Sequence, residues 1–237
     1  MREGLTRAAS APAVLAGAVA VLWWLDGPFD RRTTIAGFLL WAFLSGGILD
    51  RYARDRPTRG RGFFGACGAH ASAMVRLGLI VVLAHSILHA TLGSRVANPY
   101  VMALAIALLL ILSAIGVYGQ VRLVVEDRRS AIGSLMAAAR FVRRNPAAAV
   151  IFVAFAGAIW GWIAAMEAIV PAAGNAAVLH AAVRLTGMAY FGLALHASAI
   201  ALFQSRLAHA GYTAAPLQEW PDSPAAEAIA NATHAAP

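Results

Sequence analysis

The sequence predicts an all-α protein, a polytopic transmembrane helical bundle of about six spans with both termini in the cytoplasm. An amphipathic helix on the cytoplasmic face is expected between spans four and five. Three observations carry this. Of the 237 residues, 60% are hydrophobic and 13% charged, against about 25% charged in a soluble domain. The apolar residues lie in runs near the about 20 residues that cross the hydrocarbon core. The basic residues lie in clusters between alternate pairs of those runs.

Span one is expected over 8–25, ending in Trp23 and Trp24, whose amphipathic rings suit the membrane interface. It resembles a signal peptide but lacks a small-residue cleavage site at its end, so it reads as uncleaved. Span two is expected over 33–49. Span three falls within 63–92, firmest at 77–92, with Arg76 between that part and a lead-in that is either interfacial or a cytoplasmic extension. Span four is expected over 101–118, after Asn98 and Pro99 as a helix start. Span five is expected over 147–170, between Pro146 and Pro171, and span six over 176–203. The transmembrane domain is thus 1–204. Residues 205–237, rich in Ala, Pro and polar residues, are expected to be a disordered cytoplasmic tail.

All 19 basic residues are arginine. The loop at 50–62 holds Arg51, Arg54, Arg56, Arg59 and Arg61, and the segment 119–146 holds Arg122, Arg128, Arg129, Arg140, Arg143 and Arg144. The intervening loops are nearly neutral. Positive loops stay in the cytoplasm, so this alternation orients an even number of spans with both ends inside. The net charge of +8 therefore points to anionic lipid headgroups rather than nucleic acid. Within 119–146, Ser130 can cap a helix, and Ile132, Leu135, Met136, Ala139 and Val142 recur at helical spacing. Arg140, Arg143 and Arg144 are the expected headgroup contacts of that surface helix.

Ionisable residues inside spans are costly to bury and mark candidate sites. His85 and His89, four apart, share a face of span three, with His180 and Arg184 in span six and Glu167 in span five at similar depth. Two site readings follow: a divalent metal held by His85, His89, Glu167 and His180, or a haem or similar cofactor with His85 or His89 opposite His180. A third reading leaves them as separately satisfied side chains, with Glu167 neutralising Arg184. His196 lies toward the opposite leaflet and reads as a packed polar residue. Arg76 either snorkels to headgroups or pairs with Asp50. Gly157 and Gly161 form a small-xxx-small pattern suited to close helix approach. The acidic-basic ends of spans two and four echo each other, as either a duplicated hairpin or two ordinary basic loops. Cys67 is the only cysteine, so an intrachain disulfide is excluded. Phosphate-binding glycine loops with lysine, nucleophile elbows and HExxH are absent from the sequence.

The segments GILDRYARDRPT at 47–58, GFFGACG at 62–68 and RLVVEDRRSAIGSL at 122–135 resemble an uncharacterised family of bacterial multi-pass inner-membrane proteins. That family is itself distantly similar to the membrane domain found beside glycerophosphodiester phosphodiesterases. The likeness covers about residues 35–205. It implies a multi-span fold and no catalytic residues, because the soluble phosphodiesterase domain is absent from this sequence.

Three functions are open from the sequence. The first is a non-enzymatic scaffold or accessory subunit of a membrane complex, contacting anionic lipids and other membrane subunits in a bacterial inner membrane. The second is a transporter or permease-like subunit, for which Ser113, Thr186 and Arg184 are the few polar groups near the midplane. The third is a metal- or haem-binding redox protein using the outer histidines.

Overall fold

The computed structural model describes residues 14–15, 18–19, 31–54, 60–92, 98–169 and 175–214. They form six helices: α1 Arg31–Arg54, α2 Gly60–Leu92, α3 Pro99–Val125, α4 Ala131–Arg144, α5 Pro146–Glu167 and α6 Asn175–Ala214. Four helices are long and apolar enough to cross a membrane: α2, α3, α5 and the Ala176–Leu207 part of α6. The first expected span lies almost wholly outside the described residues. The second expected span is α1, which is not among the four. Its uncharged stretch from Thr33 to Leu49 lies at the lower limit of the about 17–25 residues of a crossing, and Asp50, Arg51 and Arg54 close it.

Residues 63–75 belong to the same continuous helix as 77–92, since α2 runs unbroken for 33 residues. At about 1.5 Å per residue it is about 50 Å long, longer than the hydrocarbon core of about 30 Å, so one end stands clear of it. The last helix continues past the expected boundary of the tail at 204–205, to Ala214. Residues 205–214 hold no proline, and the helix ends just before Pro216, which disfavours helical backbone in the residue preceding it. Contacts divide the chain into Met1–Leu202 and Phe203–Pro237. Residues 215–237 of the expected tail lie outside the described residues.

Successive helices run antiparallel. Gly47 of α1 meets Phe63 and Cys67 of α2, while Phe38 meets Gly78. Along the next pair, Leu77 lies by Gly119 and Val81 by Gly116. In the last pair, Trp162 of α5 donates to the Arg184 carbonyl of α6 at 3.0 Å, and His180 donates to the Met166 carbonyl at 2.8 Å. One end of the bundle is therefore basic: the C-terminus of α1, the N-terminus of α2 and the C-terminus of α3 meet there.

Local chemistry fixes both ends of α3. Asn98 caps α3 by accepting from the Tyr100 amide, with Pro99 at the first helical position. At the other end of α3, the Arg128 amide donates to the Leu123 carbonyl and the Asp127 amide to the Val124 carbonyl, at 3.0 and 3.3 Å. Asp127 sits at φ 49. This is a Schellman closure with aspartate in the left-handed position. Ser130 then caps α4 by accepting from the Gly133 amide at 3.2 Å.

The surface helix is present, and its expected apolar stripe is divided between the bundle and the outside. Ala131, Ser134 and Ala138 are buried, Leu135 rests on Gly119, and Phe141 packs on Tyr118 with centroids 5.2 Å apart. Ile132 and Met136, expected in one stripe with Leu135 and Val142, are 62% and 54% exposed. The small residues win the protein-facing side because they let α4 lie close against α3. Gly157 and Gly161 have nothing within 4 Å of an added Cβ among the described residues, so they mediate no close approach there. Gly187 does so instead, since a Cβ there would strike the Trp162 ring.

Candidate functional site

A cavity of about 290 Å³ lies among α1, α2, α3 and α6. Each wall follows from helical spacing. On α3, Ser113, Gly116, Val117 and Gln120 recur at three- and four-residue intervals, which puts them on one face. On α2, Gly78, Val81, Val82 and His85 do the same. Phe38 and Trp41 of α1 supply an aromatic side, and His196 comes from α6. The glycines leave room where α2 and α3 would otherwise fill the space with side chains.

Two polar pairs stand in this lining. His85 Nδ1 is 2.8 Å from the Val81 carbonyl and its Nε2 is 3.0 Å from Ser113 Oγ. His196 Nδ1 is 2.8 Å from the Gly192 carbonyl, and its Nε2 is 3.2 Å from the Gln120 side-chain amide. A carbonyl only accepts, so both imidazoles carry their proton on Nδ1. No carboxylate lines the cavity to pair with an imidazolium, and in the tautomer that these carbonyls select each ring keeps its single proton on Nδ1. Each Nε2 is then an acceptor. Ser113 donates its hydroxyl to His85, and Gln120 donates its amide N–H to His196. The near atom of the Gln120 amide is therefore its nitrogen, not the oxygen, two atoms that are interchangeable by rotation of the group.

The expected outer cluster is not assembled. His85 is tied to α3 through Ser113, and His180 is tied to α5 through the Met166 carbonyl. His89 and Glu167 are exposed. Among the described residues, His85, His89, Glu167 and His180 form no group able to hold a metal ion. The ring nitrogens of His85 and His180 that depth alone brought together are spent on nearer carbonyls and a hydroxyl, contacts that sequence spacing does not reveal. Ser113 does sit at a polar site, as expected of the midplane groups, whereas Thr186 donates to its own helix at the Ala182 carbonyl. Gln120 and His196 were not expected to be partners. The signal for Gln120 is its position seven residues after Ser113, on the same face of a helix otherwise apolar from Val101 to Val117.

At the basic end, Asp50 pairs with Arg54 at 2.8 Å, and Glu126 pairs with Arg122 at 2.6 Å and with Arg128. The hydrogen bond to Asp50, helped by the negative charges of Asp50 and Asp127, holds the Arg54 guanidinium above its usual range. Thus the two echoing segments meet through charge. Asp50 is taken by Arg54, and Arg76 donates to the Ser72 carbonyl at 3.2 Å. Arg140, Arg143 and Arg144 are exposed on α4.

No protein-family model, no curated protein and no solved structure matches the chain.

Proposed function

We propose that the chain is a six-span integral protein of a bacterial inner membrane, with both ends in the cytoplasm. In this reading it serves as a non-enzymatic scaffold or accessory subunit, seated on anionic headgroups through α4. The outward face of α4 carries the reading. Ile132 and Met136 are exposed apolar side chains on the row that continues into Arg140, with Arg143 and Arg144 in the last turn. A helix at a membrane surface needs that combination, apolar side chains to enter the interface and arginines to meet phosphates. Two polar pairs inside the bundle, His85 with Ser113 and His196 with Gln120, engage one another, which suits a structural part better than a catalytic one. The resemblance to the membrane domain beside glycerophosphodiester phosphodiesterases supports the multi-span architecture and brings no catalytic residue with it.

Vesicle binding tests the α4 reading. An α4 peptide spanning 128–146 is expected to bind vesicles of anionic lipid and not those of zwitterionic lipid. Replacing Arg140, Arg143 and Arg144 with glutamate is expected to abolish the difference. Equal binding to both vesicle types would overturn the headgroup contact. Affinity purification of the full chain from its native membrane is expected to bring down partner membrane subunits in fixed ratio, and recovery of the chain alone would overturn the accessory role.

The permease-like reading keeps one observation in its favour, the polar-lined cavity inside the bundle. Uptake of a polar solute into vesicles that contain the chain as their only protein would favour it over the scaffold.

A further inference from the structure

We infer that the cavity between α1, α2, α3 and α6 is a binding site for an uncharged ring compound bearing a hydroxyl donor, of the phenol or quinol class. The inference rests on which atoms the cavity offers. With Nδ1 of both histidines bound to backbone carbonyls, each Nε2 is an acceptor. Ser113 Oγ, having given its proton to His85, keeps lone pairs free to accept. The Gln120 carbonyl oxygen, turned away from His196, is also an acceptor. Free acceptors therefore stand at the Ser113 corner, while the Gln120 amide, with a second N–H beside its oxygen, offers both a donor and an acceptor. A ligand hydroxyl can donate to Ser113 and extend the chain to His85, or replace Ser113 on His85 Nε2.

The remaining lining sets the body of the ligand. Phe38 and Trp41 offer ring surfaces, Phe38 resting on Gly78, and Val81, Val82 and Val117 supply further apolar lining. No charged residue lines the cavity, so an anion or a cation would be desolvated without a partner. A single metal ion is excluded as the bridge between the histidines. Ser113 and Gln120 are seven residues apart on α3, about 10 Å along its axis, whereas metal–nitrogen bonds are about 2 Å. Val82 lines the cavity and is 51% exposed. Its position on a membrane-crossing helix gives a lipid-dissolved ligand a side entrance.

Binding to the full chain in nanodiscs tests this with phenol, toluene, anisole and benzoate, followed by ligand-detected saturation transfer and competition. Phenol is expected to bind about tenfold more tightly than toluene or anisole, the effect of one added hydrogen bond to the protein. Benzoate is expected not to bind. The double variant Ser113→Ala, His85→Leu, which removes both acceptors at that corner, is expected to reduce the preference for phenol over toluene to less than threefold. Gly116→Leu, which fills the cavity, is expected to remove binding of both. Two further probes separate the sources of the phenolic ring. Binding of a long-chain benzoquinol, with at least tenfold weaker binding of its oxidised quinone, assigns a membrane quinol whose chain leaves past Val82. Binding of phenol but not of the quinol assigns a small phenol. Equal affinity for phenol and toluene, unchanged binding in Gly116→Leu, or no phenol binding by a chain with native helical circular dichroism would each overturn the site.

Discussion

At the scale of single residues, two side chains hold unusual states because of where α1 and α3 end. Tyr52, in the last turn of α1 and only 3% exposed, is pushed up to about 12 by burial, against the pull of Arg51. In the unfolded chain it titrates near 10. A folded-state value above the unfolded one means that the folded state keeps its proton longer, so this stability is complete below about pH 10 and is lost as pH rises toward 12. The shift corresponds to roughly 2–3 kcal/mol. Thermal unfolding of the chain followed from pH 9 to 11 is expected to fall more steeply than that of Tyr52→Phe, and parallel curves would contradict the shift. Asp127 is the second case. Its φ of 49 suits glycine, asparagine and aspartate and disfavours β-branched residues. Asp127→Val is expected to destabilise by about 1–2 kcal/mol, while Asp127→Asn stays within about 0.5 kcal/mol. Denaturant midpoints of the two variants distinguish this from a purely electrostatic role, in which Asn and Val would be equally harmful because both remove the attraction to Arg54.

At the scale of helices, close approach depends on where small residues fall relative to a partner, which the sequence alone leaves open. Gly157 and Gly161 have the expected spacing and touch nothing among the described residues, whereas Gly46 and Gly47 lie against His70, Cys67 and Phe63. An added Cβ at Gly47 would strike Cys67 Sγ, which is fully buried and has little room to withdraw. Gly47→Ala is therefore expected to destabilise by about 1–2 kcal/mol, overpacking outweighing the gain in helix propensity of about 1 kcal/mol. A double variant with Cys67→Ala is expected to recover most of that loss, and failure to recover it would place the strain elsewhere. The helices themselves were legible: Asn98, Pro99, Ser130 and Pro146 mark starts that the structure keeps. The division of the α4 stripe was not, because burial of Ala131, Ser134 and Ala138 brings Leu135 onto Gly119 and leaves Ile132 and Met136 outside. The polar site was legible only in part. His85 and Ser113 stood out as polar groups in apolar runs, but their meeting depends on the antiparallel register of α2 and α3, set by Gly116 and Gly119 against Val81 and Leu77.

At the scale of the whole molecule, the antiparallel order puts the ends of α1 and α3 and the start of α2 together, and the charge pattern turns that arrangement into a prediction of sidedness. Asp50 with Arg54 and Glu126 with Arg122 and Arg128 gather charge at one end, while the loops opposite carry little. Arginine-rich loops are retained in the cytoplasm, so that end is expected to face inward. Helices α2, α3, α5 and the Ala176–Leu207 stretch are then expected to alternate, with α4 on the inner face. Reporter fusions test each step. A reporter placed after Arg129 and another after Arg206 are expected to report cytoplasm, and one after Ser94 to report periplasm. Fusions after Arg7 and Asp26 test the first span, expected inside and outside respectively. Reversal of the Arg129 signal would overturn the orientation together with the proposed lipid contacts of α4. A cytoplasmic signal from Asp26 would reduce the count of spans, because the chain would then enter α1 from the same side on which its arginine-rich end is retained.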